Sequence, residues 1–256
     1  ISWVTALLLA TCSSAWAYQP LITDDTGTQG SGGNQLEFAF SDDRVELGSV
    51  VYSVRVLPLT YTRGLSETLD ISIGVNHTHL NSSAPGVDLV SGNGNPSLGL
   101  KWRFFENEAS KTSLALKAEV GLPINREQEG LGLGSGRGYY VATAVLMQET
   151  GFGAILFNLA AAQLRYSDTL ANPDISLVRA SLAPVWQLND QWKLALDMGG
   201  TRESTVEKQI NIKFMEIGAV YSPSKDLDIA FGFIGRSGGE SAASRGVTGG
   251  ISWRFR

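Results

Sequence analysis

The last eleven residues of the chain, Gly246 to Arg256, read Gly-Val-Thr-Gly-Gly-Ile-Ser-Trp-Arg-Phe-Arg. Val247, Gly249, Ile251, Trp253 and Phe255 share one face; Thr248, Gly250, Ser252, Arg254 and Arg256 share the other. A period of two with one apolar and one polar face is the mark of a strand. A terminal strand of this kind can close a sheet on itself by pairing with the first strand. In lipid such closure is obligatory, because each unpaired backbone group costs several kcal/mol.

Eleven earlier stretches carry the same alternation. They lie near 34–42, 49–63, 69–80, 97–105, 113–122, 139–149, 152–166, 178–187, 192–198, 209–221 and 227–233. The fifth is the clearest, with Leu114, Leu116, Ala118, Val120 and Leu122 set against Ser113, Ala115, Lys117, Glu119 and Gly121. Two stretches change phase. In the second, a bulge near Val56 to Pro58 would turn Tyr52, Val54 and Val56 outward together with Leu57, Leu59 and Tyr61. The tenth changes phase after Phe214. The sixth and seventh alternate weakly and are partly apolar on both faces, which leaves their register open by one residue.

The connections alternate in length. Those after even-numbered stretches are short, and those after odd-numbered ones are mostly longer, the longest being 81–96 and 124–138. Short periplasmic turns, longer extracellular loops and an even strand count are the pattern of an outer-membrane barrel. Trp102, Trp186, Trp192, Trp253, Tyr61, Tyr221 and Phe255 fall near the short-turn ends, where an interfacial aromatic girdle belongs. The expected fold is therefore all-β, an antiparallel transmembrane β-barrel of about 12 strands over 34–256. A soluble β-sandwich is the alternative, but it gives no reason for aromatics in one belt.

Composition narrows the function. The formal charge is −5 with no basic run, so nucleic acid is not an expected partner. No apolar run of about 18 residues lies beyond the N-terminus, which excludes helical spans there. Val4 to Thr11 is a short apolar core before Ala15-Trp16-Ala17, a small-x-small cleavage site. We expect a signal peptide over 1–17 and a mature start at Tyr18. Cys12, the single cysteine, lies within it; Leu9-Ala10-Thr11-Cys12 leaves a lipoprotein signal as the alternative. Residues 18–33 lack periodicity and read as an irregular periplasmic segment, with Asp24-Asp25 as a solvated turn.

If the apolar faces meet lipid, the other faces line a lumen. The lumen candidates are Arg55, Asp70, Lys101, Arg103, Lys117, Glu119, Arg179, Lys193, Asp197, Lys213, Asp228 and Arg254, with Glu37 and Glu216 beside them. Such charges should pair across strands, since unpaired buried charge is costly. The same set reads equally well as a network that fills and stiffens the barrel. Eight-stranded barrels are filled by side chains and those of 16–18 strands hold an open channel, so twelve implies a narrow or plugged pore. The loop 124–138 is long enough to fold inward and constrict it. No cofactor or metal is expected. His77 and His79 are the only histidines and fall on the outward phase, so no Ser-His pair with an orienting acid emerges, and His77-x-His79 lacks further zinc ligands. No enzyme is expected.

Several short motifs resemble a known family. Pro20-Leu21-Ile22-Thr23-Asp24-Asp25, then Gly27 and Gln35-Leu36-Glu37, are similar to the start of the phenol-degradation (meta-pathway) outer-membrane transporters. Gly92-Asn93-Gly94-Asn95-Pro96-Ser97-Leu98-Gly99-Leu100-Lys101-Trp102-Arg103-Phe104, Gly121-Leu122-Pro123 and Gly132-Leu133-Gly134-Ser135-Gly136 extend the likeness. Two departures stand out: Asn95 occupies a position where the family usually has Asp, and Arg256 follows the terminal Phe255. The resemblance implies an outer-membrane channel for small aromatic or hydrophobic compounds and names no catalytic residue. The expected partners are outer-membrane lipid, a small solute, and the barrel assembly machinery through the C-terminal strand. The alternative is a closed structural barrel acting through its extracellular loops.

Overall fold

A sheet with one face in lipid can have no free edge, and this sheet closes. The computed structural model describes residues 20–47, 49–86, 89–170, 172–238 and 243–256. The expected signal peptide, Cys12 and Tyr18 lie outside the described residues.

The strands are β1 (Asn34–Leu47), β2 (Val50–Gly64), β3 (Leu69–Ser82), β4 (Val90–Asn93), β5 (Ser97–Asn107), β6 (Thr112–Gly121), β7 (Tyr139–Thr150), β8 (Gly153–Leu164), β9 (Ile175–Gln187), β10 (Trp192–Ser204), β11 (Gln209–Ser224), β12 (Leu227–Gly238) and β13 (Ser244–Phe255). One short helix, α1 (Arg126–Gly130), lies between β6 and β7. Neighbours in sequence pair antiparallel, and β1 closes onto β13 from Asn34 opposite Phe255 to Val45 opposite Ser244. Both β4 and β5 pair with β3, at its two ends, so together they make one interrupted crossing of a twelve-strand barrel.

One end of the barrel carries only short connections: 65–68, 108–111, 151–152, 188–191 and 225–226. The other carries 83–89, 122–138 and 165–174. By loop length the first end is periplasmic and the second extracellular. The alternation is less regular than expected, because 48–49 and 205–208 at the extracellular end are also short.

The outer face is apolar around the middle of the strands. Ile73, Leu98, Leu116, Leu159, Ile217 and Phe233 all point out and stay exposed. At the periplasmic rim the aromatics stack in pairs, Trp192 on Tyr221 at 4.8 Å and Trp253 on Phe255 at 4.7 Å between ring centres. The expected girdle is present.

The structure corrects both phase changes. β2 pairs with β1 and β3 in one unbroken register. Val54 and Val56 therefore point inward, where they pack with Leu80 and Val90 in a small interior apolar cluster. Arg55, between them, points outward. β11 likewise pairs with β10 without a shift past Phe214, which is buried inside. Lys213 therefore also points outward. In both strands a patch of apolar lumen imitated a lipid face. The real bulges lie between Arg103 and Phe105 in β5 and between Tyr221 and Ser224 in β11.

Ile217→Arg, at the middle of β11 on the lipid face, should destabilise the folded barrel by about 2–4 kcal/mol, the cost of a cation near the bilayer midplane. Equilibrium guanidinium unfolding from phospholipid vesicles measures it.

Candidate functional site

Residues 20–33 run inside the barrel. The chain enters beside β11 and β12, where Pro20 lies so close to Gly218 that a side chain there would collide with its ring, and also borders Gly232. Leu21 then packs among Leu156, Ala183, Val185 and Ala195 on β8 to β10. After crossing the lumen the segment returns to the periplasmic rim at β3 and turns into β1. Gly30 and Gly32 take φ of +70° and +76° there, a backbone region open mainly to glycine. Gly32 donates from its N–H to the carbonyl of Gly64 at 3.0 Å.

Two like-charged pairs in the wall explain what holds the segment. Lys101 on β5 and Lys117 on β6 stand directly opposite each other, facing in. Like charges so placed repel. Asp24 sits between them, 3.1 Å from the Lys101 Nζ and 2.9 Å from the Lys117 Nζ, and Asp25 adds a contact to Lys101 at 3.3 Å. Across the lumen, Asp197 on β10 stands directly opposite Glu216 on β11. Asp197 accepts the backbone N–H groups of Ile22 and Thr23 and the Thr23 hydroxyl, all at 2.7 Å. Glu216 accepts the Thr248 hydroxyl. Asn158 bonds the segment backbone from both sides: its carbonyl accepts from the Asp24 N–H at 3.0 Å and its amide donates to the Asp24 carbonyl at 3.2 Å. Thr26 meets Ser113 at 2.5 Å, and Asp70 accepts the Gln29 N–H at 3.0 Å.

Asp24 is therefore a buried anchor and not the solvated turn expected from the sequence. Burial alone would push its carboxyl up; the ammonium groups of Lys101 and Lys117 more than offset this and hold it below the ordinary range.

Most of the other lumen candidates also face in. Glu119 accepts from the Tyr139 hydroxyl at 2.6 Å. Arg254 donates to Asp228 at 2.6 Å and to Gln35 at 3.1 Å. Arg103 donates to the Glu67 carbonyl at 3.0 Å at the periplasmic mouth, and Lys193 lies on the inward face of β10 near the same mouth. Arg179 is buried on the extracellular side of the segment, with Asp197 and Arg236 as its charged neighbours. Arg55 and Lys213 do not belong to this set. Three inward groups went unnoticed in the sequence: Asp43, its ion-pair partner Arg236, and Glu203. They lie beyond the apolar band, where alternation of hydropathy no longer marks a strand.

Below the segment, a cavity of about 930 Å³ reaches the periplasmic mouth. Its wall is polar and of both signs, with Glu37, Asp70 and Asp228 facing Lys101, Lys117 and Arg254. At the extracellular end, the loop 122–138 folds back on the rim. The Asn95 amide donates to the carbonyls of Leu122 at 2.7 Å and Ser135 at 2.8 Å, and its carbonyl accepts the Ser135 N–H at 2.9 Å. An aspartate could not make the two donations. Buried Glu129 of α1 accepts from the N–H groups of Gly136, Ser167 and Asp168, which ties this loop to 165–174. His77 faces outward and contacts Asn93 and Ser91 at 2.7 and 3.0 Å. Among the described residues no three His, Cys, Asp or Glu side chains gather as a metal site would need.

No protein-family model matches this chain, and no curated protein matches it in sequence. Its fold is similar to solved structures. Against the COG4313 outer membrane channel from Pseudomonas putida F1 the TM-score is 0.71 at 14% identity, over 90% of this chain and 98% of that one. Against the translocator domain of the autotransporter NalP from Neisseria meningitidis it is 0.57 at 11% identity, over 99% and 98%. Against the KdgM porin in complex with disordered oligogalacturonate it is 0.51 at 7% identity, over 87% and 99%. At these identities the likeness is one of fold.

Asp24→Asn removes the carboxylate that lies between Lys101 and Lys117 and leaves only Asp25, 3.3 Å from Lys101, beside the pair. It should cost about 1–3 kcal/mol, less than for a dry ion pair because the site borders a cavity wide enough for water, and expose residues 20–33 to added protease. Because the native carboxyl titrates below its unfolded value of about 4, its contribution is complete above that pH and fades as pH falls through the lower native value. Protease protection of the segment should hold from about pH 7 to 5 and weaken only below about 4. Asn95→Asp should loosen the extracellular loops at a cost of about 1–3 kcal/mol, the penalty for unsatisfied buried carbonyls, seen as faster amide exchange over 122–138.

Proposed function

We propose that this protein is a channel of the bacterial outer membrane for small molecules, with residues 20–33 as its constriction. The observation that carries the reading is the segment itself: it crosses the lumen on Asp24 and Thr23 and lies directly above a polar cavity open to the periplasm. A barrel that only needed filling would not keep a cavity of about 930 Å³ at its mouth. The segment is held by ion pairs and hydrogen bonds, and its fully buried apolar side chains are only Pro20 and Leu21. Contacts of that kind can be exchanged for a solute's own polar groups or for water.

The resemblance to the meta-pathway transporters supports aromatic or hydrophobic compounds as the cargo. The mixed-charge cavity favours, within that class, small rings that carry a hydroxyl or carboxylate. Lys101, Lys117, Asp70, Glu119 and Arg254 would select among them. Export through a signal peptide cleaved after Ala17, and insertion by the assembly machinery through β13, complete this reading.

The closed-barrel alternative draws on the Asn95 and Glu129 bonds that tie the extracellular loops together. Single-channel recording in planar bilayers separates the two. Under the channel reading the wild-type barrel gives small discrete steps that millimolar benzoate or phenol blocks. Asp24→Ala should enlarge the steps several-fold. Equal steps in both would show that the path avoids the segment, and silence in both would favour the closed barrel.

A further inference from the structure

The outward positions of Arg55 and Lys213 leave two cations on the lipid side of the barrel, and they are not alone. On β1, Leu36, Phe38 and Phe40 face lipid, and the next outward residues are Asp42, Arg44 and Glu46. On β13 the outward series Phe255, Trp253, Ile251 and Val247 ends at Arg245. On β11 it runs Tyr221, Ile217 and Met215 to Lys213, and on β10 it ends at Arg202. The steps from Trp253 to Arg245 and from Tyr221 to Lys213 are both eight residues long. At the usual strand rise and tilt that is about 20 Å along the membrane normal, close to the height of the apolar band. These cations therefore sit at the level of the extracellular-leaflet head groups.

They are confined to one side. Arg55, Arg44, Arg245, Lys213 and Arg202 lie on the run β2-β1-β13-β12-β11-β10. At the same height β6 to β9 present Val120, Tyr140, Ala161 and Val178, without a charge. Between Arg245 and Lys213, β12 offers only Gly235 and Ser237, which leaves a shallow trough in the basic surface.

Arg44 and Arg245 stand directly opposite each other across the closing seam. The two like-charged pairs inside the barrel are each met by a neighbour: the Asp24 carboxylate lies between the lysines, and the Thr23 and Thr248 donors bond the carboxylates. The outer pair has only a shared neighbour, on one of its two members. Asp42 is committed to Arg55 at 2.6 Å and reaches Arg44 only at 3.8 Å. Among the described residues no acid pairs with Arg245 or Lys213.

We propose that this face is a binding site for a phosphorylated glycolipid of the outer leaflet. One phosphate would bridge Arg44 and Arg245, and a second would reach Lys213 across the β12 trough. Paired guanidinium groups suit a phosphate because each can give two parallel N–H donors. The acyl chains would lie on Phe231, Phe233 and Ile251 below. This site is independent of what passes through the lumen.

The test uses the refolded full barrel in neutral detergent, with three probes: lipid A carrying two phosphates, the same lipid without phosphates, and inorganic pyrophosphate. Native mass spectrometry and thermal unfolding read binding. The bisphosphorylated lipid should bind about tenfold more tightly than the dephosphorylated one, the scale of one charge-assisted hydrogen bond. Arg44→Gln with Arg245→Gln should erase that difference, yet leave the lipid-free barrel as stable or more stable, since a repulsion is removed. Equal binding of both lipids, or an undiminished preference in the double variant, overturns the proposal. So does stabilisation by pyrophosphate equal to that by the lipid, which would mark a free-phosphate site. A less stable lipid-free variant would show that the arginines serve the seam itself and would overturn it as well.

Discussion

Charge of one sign facing itself across a strand pair is the constraint on which the interior is built. Lys101 against Lys117, and Asp197 against Glu216, would each repel in an empty barrel. Residues 20–33 answer both at once, with a carboxylate to one wall and backbone N–H groups to the other. The plug is thus bound by complementarity to charges already built into the strands. A greasy plug would gain more from burial, but it would leave these pairs uncompensated. Beneath the segment the cavity is lined by polar groups of both signs.

The same bonds give the site two different mechanical regimes. Asp24, Thr23 and Asn158 fix the middle of the segment, whereas its return to β1 runs through glycines and rests on Asp70 and on the backbone of β2. The return therefore has attachments of its own, to Glu67, Asp70 and Gly64, separate from the central anchor. The extracellular loops are organised in a similar way: Asn95 bonds backbone groups near both ends of 122–138, and Glu129 joins that loop to 165–174.

The barrel was legible from alternation because lipid enforces a strict apolar face. Legibility failed where the lumen is itself apolar. Val54 and Val56 gather inside with Leu80, and Phe214 turns inward on β11, so the period of two carried no sign of which face was which. That ambiguity moved Arg55 and Lys213 to the wrong side. Beyond the apolar band both faces are polar, which hid Asp43, Glu203 and Arg236. The crossing segment has no periodicity to read. Its trace in the sequence lay elsewhere, in lysines at equivalent inward positions of neighbouring strands, a placement that asks for an anion from outside the sheet.

The location of residues 20–33 bears on the order in which the molecule is assembled. The segment precedes the first strand, yet its partners Lys101, Lys117, Asn158, Ser181 and Asp197 belong to β5, β6, β8, β9 and β10. Its berth does not exist until the middle of the chain has formed a curved wall. The seam between β1 and β13 is the last pairing that the sequence permits. Between those two events the growing sheet is an open trough, and the segment can be laid into it sideways. After the seam closes it would have to thread through the periplasmic mouth past its own glycine turn. The chain order thus favours a barrel that closes around its plug.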